Sequence, residues 1–450
     1  MCVNKKVRSN DYLVCPVVKL LKLKDPGIQL RTSAAWMMAT GSMDRFSELP
    51  SEILDKILGL LDIQEAARMA VLSTFWREMW FNLTDLNFGC SFFYHIWKKY
   101  SSAHSHFRTK TTKTETTNSD ILTSAGMYVV NKVLTEHKGH IRKFEFSFFH
   151  HGRISLASRS FDIDQWLLLI TRKGVEELDI DFERNGKDEY SLPKCILSCP
   201  TLKRLWLRGV SVGPLNMPCI LPNATSLSFL NVKFEPNDAL DYKVNVPMLE
   251  SLLLIGCDNM FSFNITAPKL CKLIFQSCRY DQCRGFLPVH LELGSLCFLN
   301  LDALSLKKFV EDFPSRGPQL QPHELNVEYP CLSNPYNEVD VSSAFIHLLK
   351  LCPKLHEIHM DMAFVEALRD CLCTKSDNSK ELYRVAETHH MLHTLSIDFF
   401  DACENYPALV KGLVSSFPTL VKFVINDFDS EFNQKILEFP TKVEMKVVIE

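Results

Sequence analysis

A short apolar phrase recurs through most of this chain and limits its fold more than any other feature. In full form it reads Pro-x-Leu-x-x-Leu-x-Leu. The clearest copies are Pro200-Thr-Leu202-Lys-Arg-Leu205-Trp-Leu207, Pro247-Met-Leu249-Glu-Ser-Leu252-Leu-Leu254 and Pro268-Lys-Leu270-Cys-Lys-Leu273-Ile-Phe275. Weaker copies begin at Pro222, Leu296, Pro353 and Pro418, and Val175, Leu392 and Ile141 open copies that lack the proline. Val175, Leu202, Ala224, Leu249, Leu270 and Leu296 follow one another at steps of 27, 22, 25, 21 and 26 residues. The pattern then loosens, with 37 residues between Leu355 and Leu392, which predicts degenerate repeats or insertions in the C-terminal third.

Steps of roughly 20–29 residues are those of leucine-rich repeats. The Leu-x-Leu alternation makes a short strand with one face inward, and the remaining residues return the chain to the start of the next strand. No single unit covers its own apolar face, so several must stack. The fold class expected is therefore α/β: a solenoid with a curved parallel β-sheet and helical or irregular return segments. The same register explains four cysteines. Cys257 and Cys278 lie eight residues after Leu249 and Leu270, where a small buried donor satisfies turning backbone. Cys199 and Cys352 each stand just before a repeat proline.

A chain of 450 residues suggests about three domains by length alone, but in a solenoid length counts repeats instead. Fifty basic against 53 acidic residues give a net charge of −3, with no broad basic footprint for nucleic acid. No run of 18 apolar residues suggests a membrane span, and the polar, lysine-interrupted start makes a poor secretory signal. The 16 cysteines are accordingly read as reduced. Cys278…Cys283, Cys371-Leu-Cys373 and His389-His390-Met-Leu-His393 lack the closed four-ligand spacing of zinc. With no phosphate loop, serine elbow or His-Glu-x-x-His helix either, no metal, cofactor or catalytic residue is expected.

Residues 1–42 form a basic leader, read as disordered, and 44–88 change character. Ser51 opens a helical pattern with Ile53, Leu54, Ile57, Leu58 and Leu61 at helical spacing. Asp62-Ile-Gln-Glu65 reads as a variant capping box before a small-residue helix, and Ser73 to Trp80 as a third. Three helices in so few residues are near the limit of independent stability, so the unit should lean on a neighbour or partner. Residues 89–120, with clustered threonines from Thr111 to Thr117, read as a linker or surface loop, and 121–450 as the solenoid.

The stretch Leu49-Pro50-Ser-Glu-Ile53-Leu54-Asp-Lys-Ile57-Leu58-Gly-Leu60-Leu61, followed by Ala66 to Ser73 and Trp76-Arg77…Trp80, resembles the F-box of plant F-box proteins. It departs at Thr74-Phe75, where that family usually has a basic pair. Together with the repeats, the chain resembles plant F-box/LRR proteins, and Ala344 to Met360 weakly resembles part of their FBD-type C-terminal segment. The resemblance implies a non-catalytic substrate receptor of an SCF-type ubiquitin ligase in the nucleus and/or cytoplasm. Its F-box would bind a Skp-type adaptor, and through it a cullin, while the repeats capture a target protein. It assigns Leu49, Pro50, Ile53, Leu54, Ile57, Leu58, Leu72 and Trp76 to the adaptor interface or its supporting core. The non-leucine positions of one strand, Lys203, Arg204, Trp206 and Arg208, are the target-binding candidates, a basic cluster around a tryptophan suited to an acidic motif. Two other readings stay open at this point: a repeat scaffold without ligase function, and a receptor whose surface a small ligand completes.

Overall fold

A computed structural model describes residues 49–104, 114–148, 159–182, 190–214, 220–235, 244–259, 265–278, 293–312, 320–329, 341–373, 376–398, 406–427 and 444–449. The leader 1–42, Cys283 and part of the expected linker lie outside them. The chain divides into two compact units, Met1–Gly209 and Val210–Glu450.

Among the described residues, the first unit begins with three helices, α1 (Ser51–Gly59), α2 (Ile63–Met69) and α3 (Thr74–Phe81). Pro50 sits at the cap of α1, where its missing N–H costs no helical bond. Ser73 caps α3 by accepting the Trp76 N–H at 3.2 Å. The expected capping box on α2 does not form: the Asp62 side chain makes no cap bond, and its backbone carbonyl accepts from Glu65 at 2.8 Å and Ala66 at 3.0 Å.

Four parallel strands follow in the order β1 (Asp85–Phe88), β2 (Lys143–Phe148), β3 (Glu177–Phe182) and β5 (Arg204–Arg208). Strand β1 is a repeat copy that the sequence reading left inside the helical block. Leu83-Thr-Asp-Leu86-Asn-Phe88 has the same spacing, with Leu86 opposite Phe144 and Phe88 opposite Phe146. The expected loop at 89–120 is also largely helical, comprising α4 (Cys90–His104) and the start of α5 (Thr114–Glu136). Helix α4 packs on α5 and on β1 and β2, and Phe92 meets the Phe88 ring edge-on at 5.2 Å. Polar composition does not separate a loop from a helix, and aromatic residues at the front of α4 supply the packing. Helix α6 (Ser160–Arg172) buries Ile163, Trp166, Leu167 and Ile170, and β4 (Tyr190–Leu192) and the short α7 (Lys194–Leu197) complete the unit.

Among the described residues of the second unit, nine parallel strands continue the repeat: β7 (Ser226–Leu230), β10 (Ser251–Ile255), β12 (Lys272–Gln276), β13 (Phe298–Asp302), β14 (Glu324–Glu328), β15 (Glu357–Asp361), β16 (Thr394–Asp398), β17 (Lys422–Asp427) and β18 (Glu444–Ile449). Their registers align the repeat leucines, so Leu227, Leu252, Leu273, Leu299, Leu325, Ile358, Leu395 and Phe423 form one buried row. Strand β14 fills the apparent gap before Leu355: Leu325 stands 26 residues after Leu299, but Pro322 replaces the first leucine of the phrase.

The return path changes along this unit. Early repeats turn through a left-handed residue directly after the strand, Asn231 (φ 50°), Gly256 (φ 64°) and Ser277 (φ 52°). A Cβ on Gly256 would come 2.3 Å from the Asn231 Oδ1 and would strain the positive φ, so glycine suits this turn. The next residues in two of these turns are Cys257 and Cys278, whose thiols donate to the Phe229 carbonyl at 3.3 Å and the Leu254 carbonyl at 3.6 Å. Short parallel bridges carry the other edge: β6 (Val210–Val212) with β8 (Lys233–Phe234), and β9 (Val244–Asn245) with β11 (Ile265–Thr266).

Later returns are helical: α8 (Ala303–Asp312), α9 (Ser342–Leu351), α10 (Met362–Ala367), α11 (Arg369–Cys373), α12 (Asp377–Thr388) and α13 (Tyr406–Ser416). An aspartate starts two of them. Asp302 accepts the Ser305 N–H at 2.7 Å and the Ser277 N–H of the preceding repeat at 2.5 Å. Asp361 accepts from Phe364 at 2.7 Å and Tyr329 at 2.8 Å. The 37-residue step from Leu355 to Leu392 is where α10, α11 and α12 are inserted.

Candidate functional site

The residues assigned to adaptor binding separate into two groups. Leu54 and Leu58, on the inward stripe of α1, are buried to 1%, and Trp76 is buried on α3. Ile57 is half-buried, while Leu49, Pro50, Ile53 and Leu72 are exposed. Two further apolar side chains join the exposed group, Val71 and Leu60, the latter leaving 88% of its surface in solvent against 67% for Leu72 and 42% for Ile53. The sequence reading passed over Leu60 because it follows the same helical run as the core leucines. At helical spacing Leu60, the residue that caps α1, falls on the stripe of Ile53 and Ile57, away from Leu54 and Leu58.

This helical segment is held by the first strands of its own unit. Asp55 on α1 accepts the Thr84 N–H at 2.9 Å and the Thr84 hydroxyl at 2.5 Å, fixing the helix to the residue before β1. The Lys138 N–H donates to the Phe81 carbonyl at 2.8 Å, and a His137 ring nitrogen lies 2.8 Å from the Leu83 carbonyl. Burial pushes the His137 imidazole below its ordinary value, so it sits there neutral. Asp85 and Arg142 pair at 2.5 Å beside the same junction, although burial holds the Asp85 carboxyl above the ordinary range. The neighbour on which the three helices were expected to lean is therefore β1 and the end of α5.

The second candidate group occupies β5. Exposed Arg204 and half-buried Trp206 and Arg208 lie on the face opposite the buried leucines, and exposed Lys203 immediately precedes the strand. The charges are not free for an acidic ligand. Lys203 pairs with Glu176 at 2.8 Å, Arg204 pairs with Glu177, and Arg208 lies 3.6 Å from Asp181. The basic cluster is answered by the preceding repeat, a cross-strand match invisible when one repeat is read alone. Trp206 stands opposite Asp179 in register. Burial and the neighbouring Glu145 and Asp181 carboxylates push the Asp179 carboxyl up to about 7, against a pull from Lys143.

The strand face of the second unit differs. Leu230, Leu253, Ile255 and Ile274 occupy non-core positions and remain half-exposed. A polar network follows: the Gln276 amide donates to Asn300 at 2.8 Å and Glu328 at 2.9 Å, and Asn300 donates to Glu328 at 3.0 Å. Further on, His359 lies 2.6 Å from Asp398, which also accepts from Asn426 at 2.7 Å. The sequence reading missed this apolar patch because leucine and isoleucine at the x positions look like more core.

His389 is buried with ring nitrogens 2.8 Å from the Val385 carbonyl and 2.9 Å from that of Leu349. Among the described residues no group of three or more His, Cys, Asp or Glu side chains could hold a metal ion, and no described helix is long and apolar enough to cross a membrane.

With this geometry in hand, comparison with known proteins is direct. Residues 46–86 match the F-box domain family, and residues 163–307 match the family described as FBD-associated F-box protein At5g56370, LRR repeats. The chain is similar to F-box/FBD/LRR-repeat protein At1g13570 of Arabidopsis thaliana, 29% identical over 229 residues, which cover 51% of this chain and 48% of the relative. It is also similar to F-box protein At4g09920 of the same plant, 28% identical over 55% of this chain and 70% of the relative. FBD-associated F-box protein At5g56370 is 24% identical over 74% of this chain and 70% of its own length. The match thus spans about half the length of the first of these relatives. One segment of the chain thus matches the F-box domain and another the FBD-associated leucine-rich repeats.

Proposed function

We propose that this protein is a non-catalytic substrate-recognition subunit of an SCF-type ubiquitin ligase, acting in the nucleus and/or cytoplasm. The observation that carries the reading is the exposed apolar set Leu49, Pro50, Ile53, Leu60 and Leu72 inside the segment that matches the F-box domain. A small unit that leaves such side chains in water has a surface suited to a protein partner, where a few apolar anchors dominate the energy. In this reading Leu49, Pro50, Ile53, Leu60 and Leu72 contact a Skp-type adaptor, which bridges to a cullin. Ile57 lies at the margin, and Leu54, Leu58 and Trp76 hold the surface in shape. The repeats bind the target, with the apolar face around Leu230, Leu253, Ile255 and Ile274 a stronger candidate than the charge-paired β5.

The test is binding of the full chain to a purified Skp-type adaptor. The wild type should bind, and Leu49→Ala/Pro50→Ala and Leu60→Asp should each weaken binding at least about tenfold, the size of a modest anchor loss. Unchanged binding by both variants would remove the interface assignment. A wild type that binds no adaptor would remove the ligase reading itself.

A further inference from the structure

We propose that Cys271 and Cys297, which face each other on neighbouring repeats, form a reversible disulfide on exposure to a small-molecule disulfide such as oxidised glutathione. Each residue immediately precedes a strand of the second unit, and Lys272 of β12 stands opposite Phe298 of β13 in parallel register. The ladder continues backward through the cysteines, because the Cys297 N–H donates to the Cys271 carbonyl at 2.7 Å and the Phe298 N–H to the same oxygen at 3.0 Å. Adjacent strands lie about 4.8 Å apart, inside the roughly 4.4–6.8 Å that a disulfide spans between Cα atoms. Both thiols are free, with Cys297 exposed and Cys271 half-buried.

The neighbouring thiol pair sets a control within the same repeats. Cys257 and Cys278 also interact side chain to side chain, but their thiols are committed to the Phe229 and Leu254 carbonyls in the turns. Burial pushes Cys278 well above the ordinary thiol range, which removes it from exchange chemistry. Cys297 also donates to a carbonyl, that of Ser295 at 3.4 Å, but it is open to solvent. Its contact with Cys271 raises its thiol above the ordinary value, so exchange should be slow near neutrality and accelerate with pH.

The chemistry balances as two exchanges. The Cys297 thiolate attacks one sulfur of oxidised glutathione, the S–S bond breaks, and one glutathione thiolate leaves and takes up the proton that Cys297 lost. The Cys271 thiolate then attacks the Cys297 sulfur, the mixed disulfide breaks, and the second glutathione leaves with the proton from Cys271. Two protein thiols are oxidised to one disulfide, and one glutathione disulfide is reduced to two thiols. The product would clamp the pre-strand edge of two repeats.

The full-length reduced chain would be equilibrated in buffers of varying oxidised-to-reduced glutathione ratio, quenched by alkylation, digested without reduction and weighed. The expected result is a peptide joining Cys271 to Cys297, two hydrogens lighter than the separate peptides, while Cys257 and Cys278 stay alkylatable. Cys271→Ser should instead hold glutathione on Cys297, because no thiol remains to resolve it, and Cys297→Ser should leave Cys271 unmodified at the same exposure. Formation should speed up about tenfold per pH unit below the Cys297 pKa. Circular dichroism matching the wild type confirms that each serine variant is folded. A wild type that accumulates the Cys297 mixed disulfide without joining Cys271, or a Cys297 that stays alkylatable at every ratio, would overturn the proposal.

Discussion

In α1, Leu54 and Leu58 are buried to 1%, yet Ile53 keeps 42% of its surface in water and Leu60, just past the helix, keeps 88%. In β10, Leu252 and Leu254 are buried as completely, and the residues between and after them, Leu253 and Ile255, are half-covered. Each element carries four leucine or isoleucine side chains. What differs is who covers the second face. A repeat strand has neighbours on both sides in register, so its inner row closes on itself. Among the described residues the three short helices rest on β1 and the end of α5, and the face away from these is left over. Apolar content thus means core in one region and surface in the other, and the two should respond oppositely to truncation.

The largest expected effect is in the repeat core. Leu252→Ala removes a fully buried side chain between Leu227 and Leu273 in one register row. It should cost about 2–5 kcal/mol, because the packed neighbours can collapse only partly into the cavity. Leu60→Ala should change folding stability by less than about 0.5 kcal/mol. Urea denaturation of the two variants decides the matter, and comparable losses would mean that Leu60 is covered by the chain itself.

The contrast also shows what the sequence could reveal. The repeat was legible because its period repeats: each copy corroborates the others, and even Cys257 and Cys278 fell into place by counting. What was missed lay where a copy broke the phrase or sat outside the counted span. Strand β1 at Leu86 was hidden behind the helical block, and β14 at Leu325 lost its first leucine to Pro322. In the helical segment the motif identified which residues matter, but not which face each takes. Burial there depends on Asp55 and Thr84, whose bond joins positions 29 apart. Likewise, Lys203 and Arg204 read as a free basic cluster until the preceding repeat supplied Glu176 and Glu177.

A smaller loss is expected where the returns become helical. Asp302→Ala removes the cap on α8 and leaves the Ser277 N–H without its acceptor, both in a well-packed part of the second unit. The expected cost is about 1–3 kcal/mol, a cap plus an unsatisfied donor. Asp302→Asn keeps an acceptor oxygen and should recover part of it. Equal losses for both variants in urea denaturation would show that charge, rather than hydrogen bonding, makes the contribution.

The smallest effect separates the two strand faces by pH. In the first unit, Asp179 lies among Glu145 and Asp181 with its carboxyl pushed up to about 7 from the ordinary 3.8. The folded chain therefore holds that proton more tightly than the unfolded chain does. The resulting stabilisation is complete below about pH 4 and is lost as pH rises through about 7. Asp179→Asn, which is neutral throughout, should then be more stable than the wild type by about 1 kcal/mol at pH 8, a value discounted for partial solvent exposure. At pH 4 the two should unfold together. The Lys203–Glu176 pair nearby is exposed and should contribute less than about 1 kcal/mol at either pH. Melting curves across pH 4 to 8 test both statements at once. A constant difference between Asp179→Asn and the wild type would place the effect in packing against Trp206, while a difference that opens only above neutrality places it in the crowded carboxylates of the β2–β3 face.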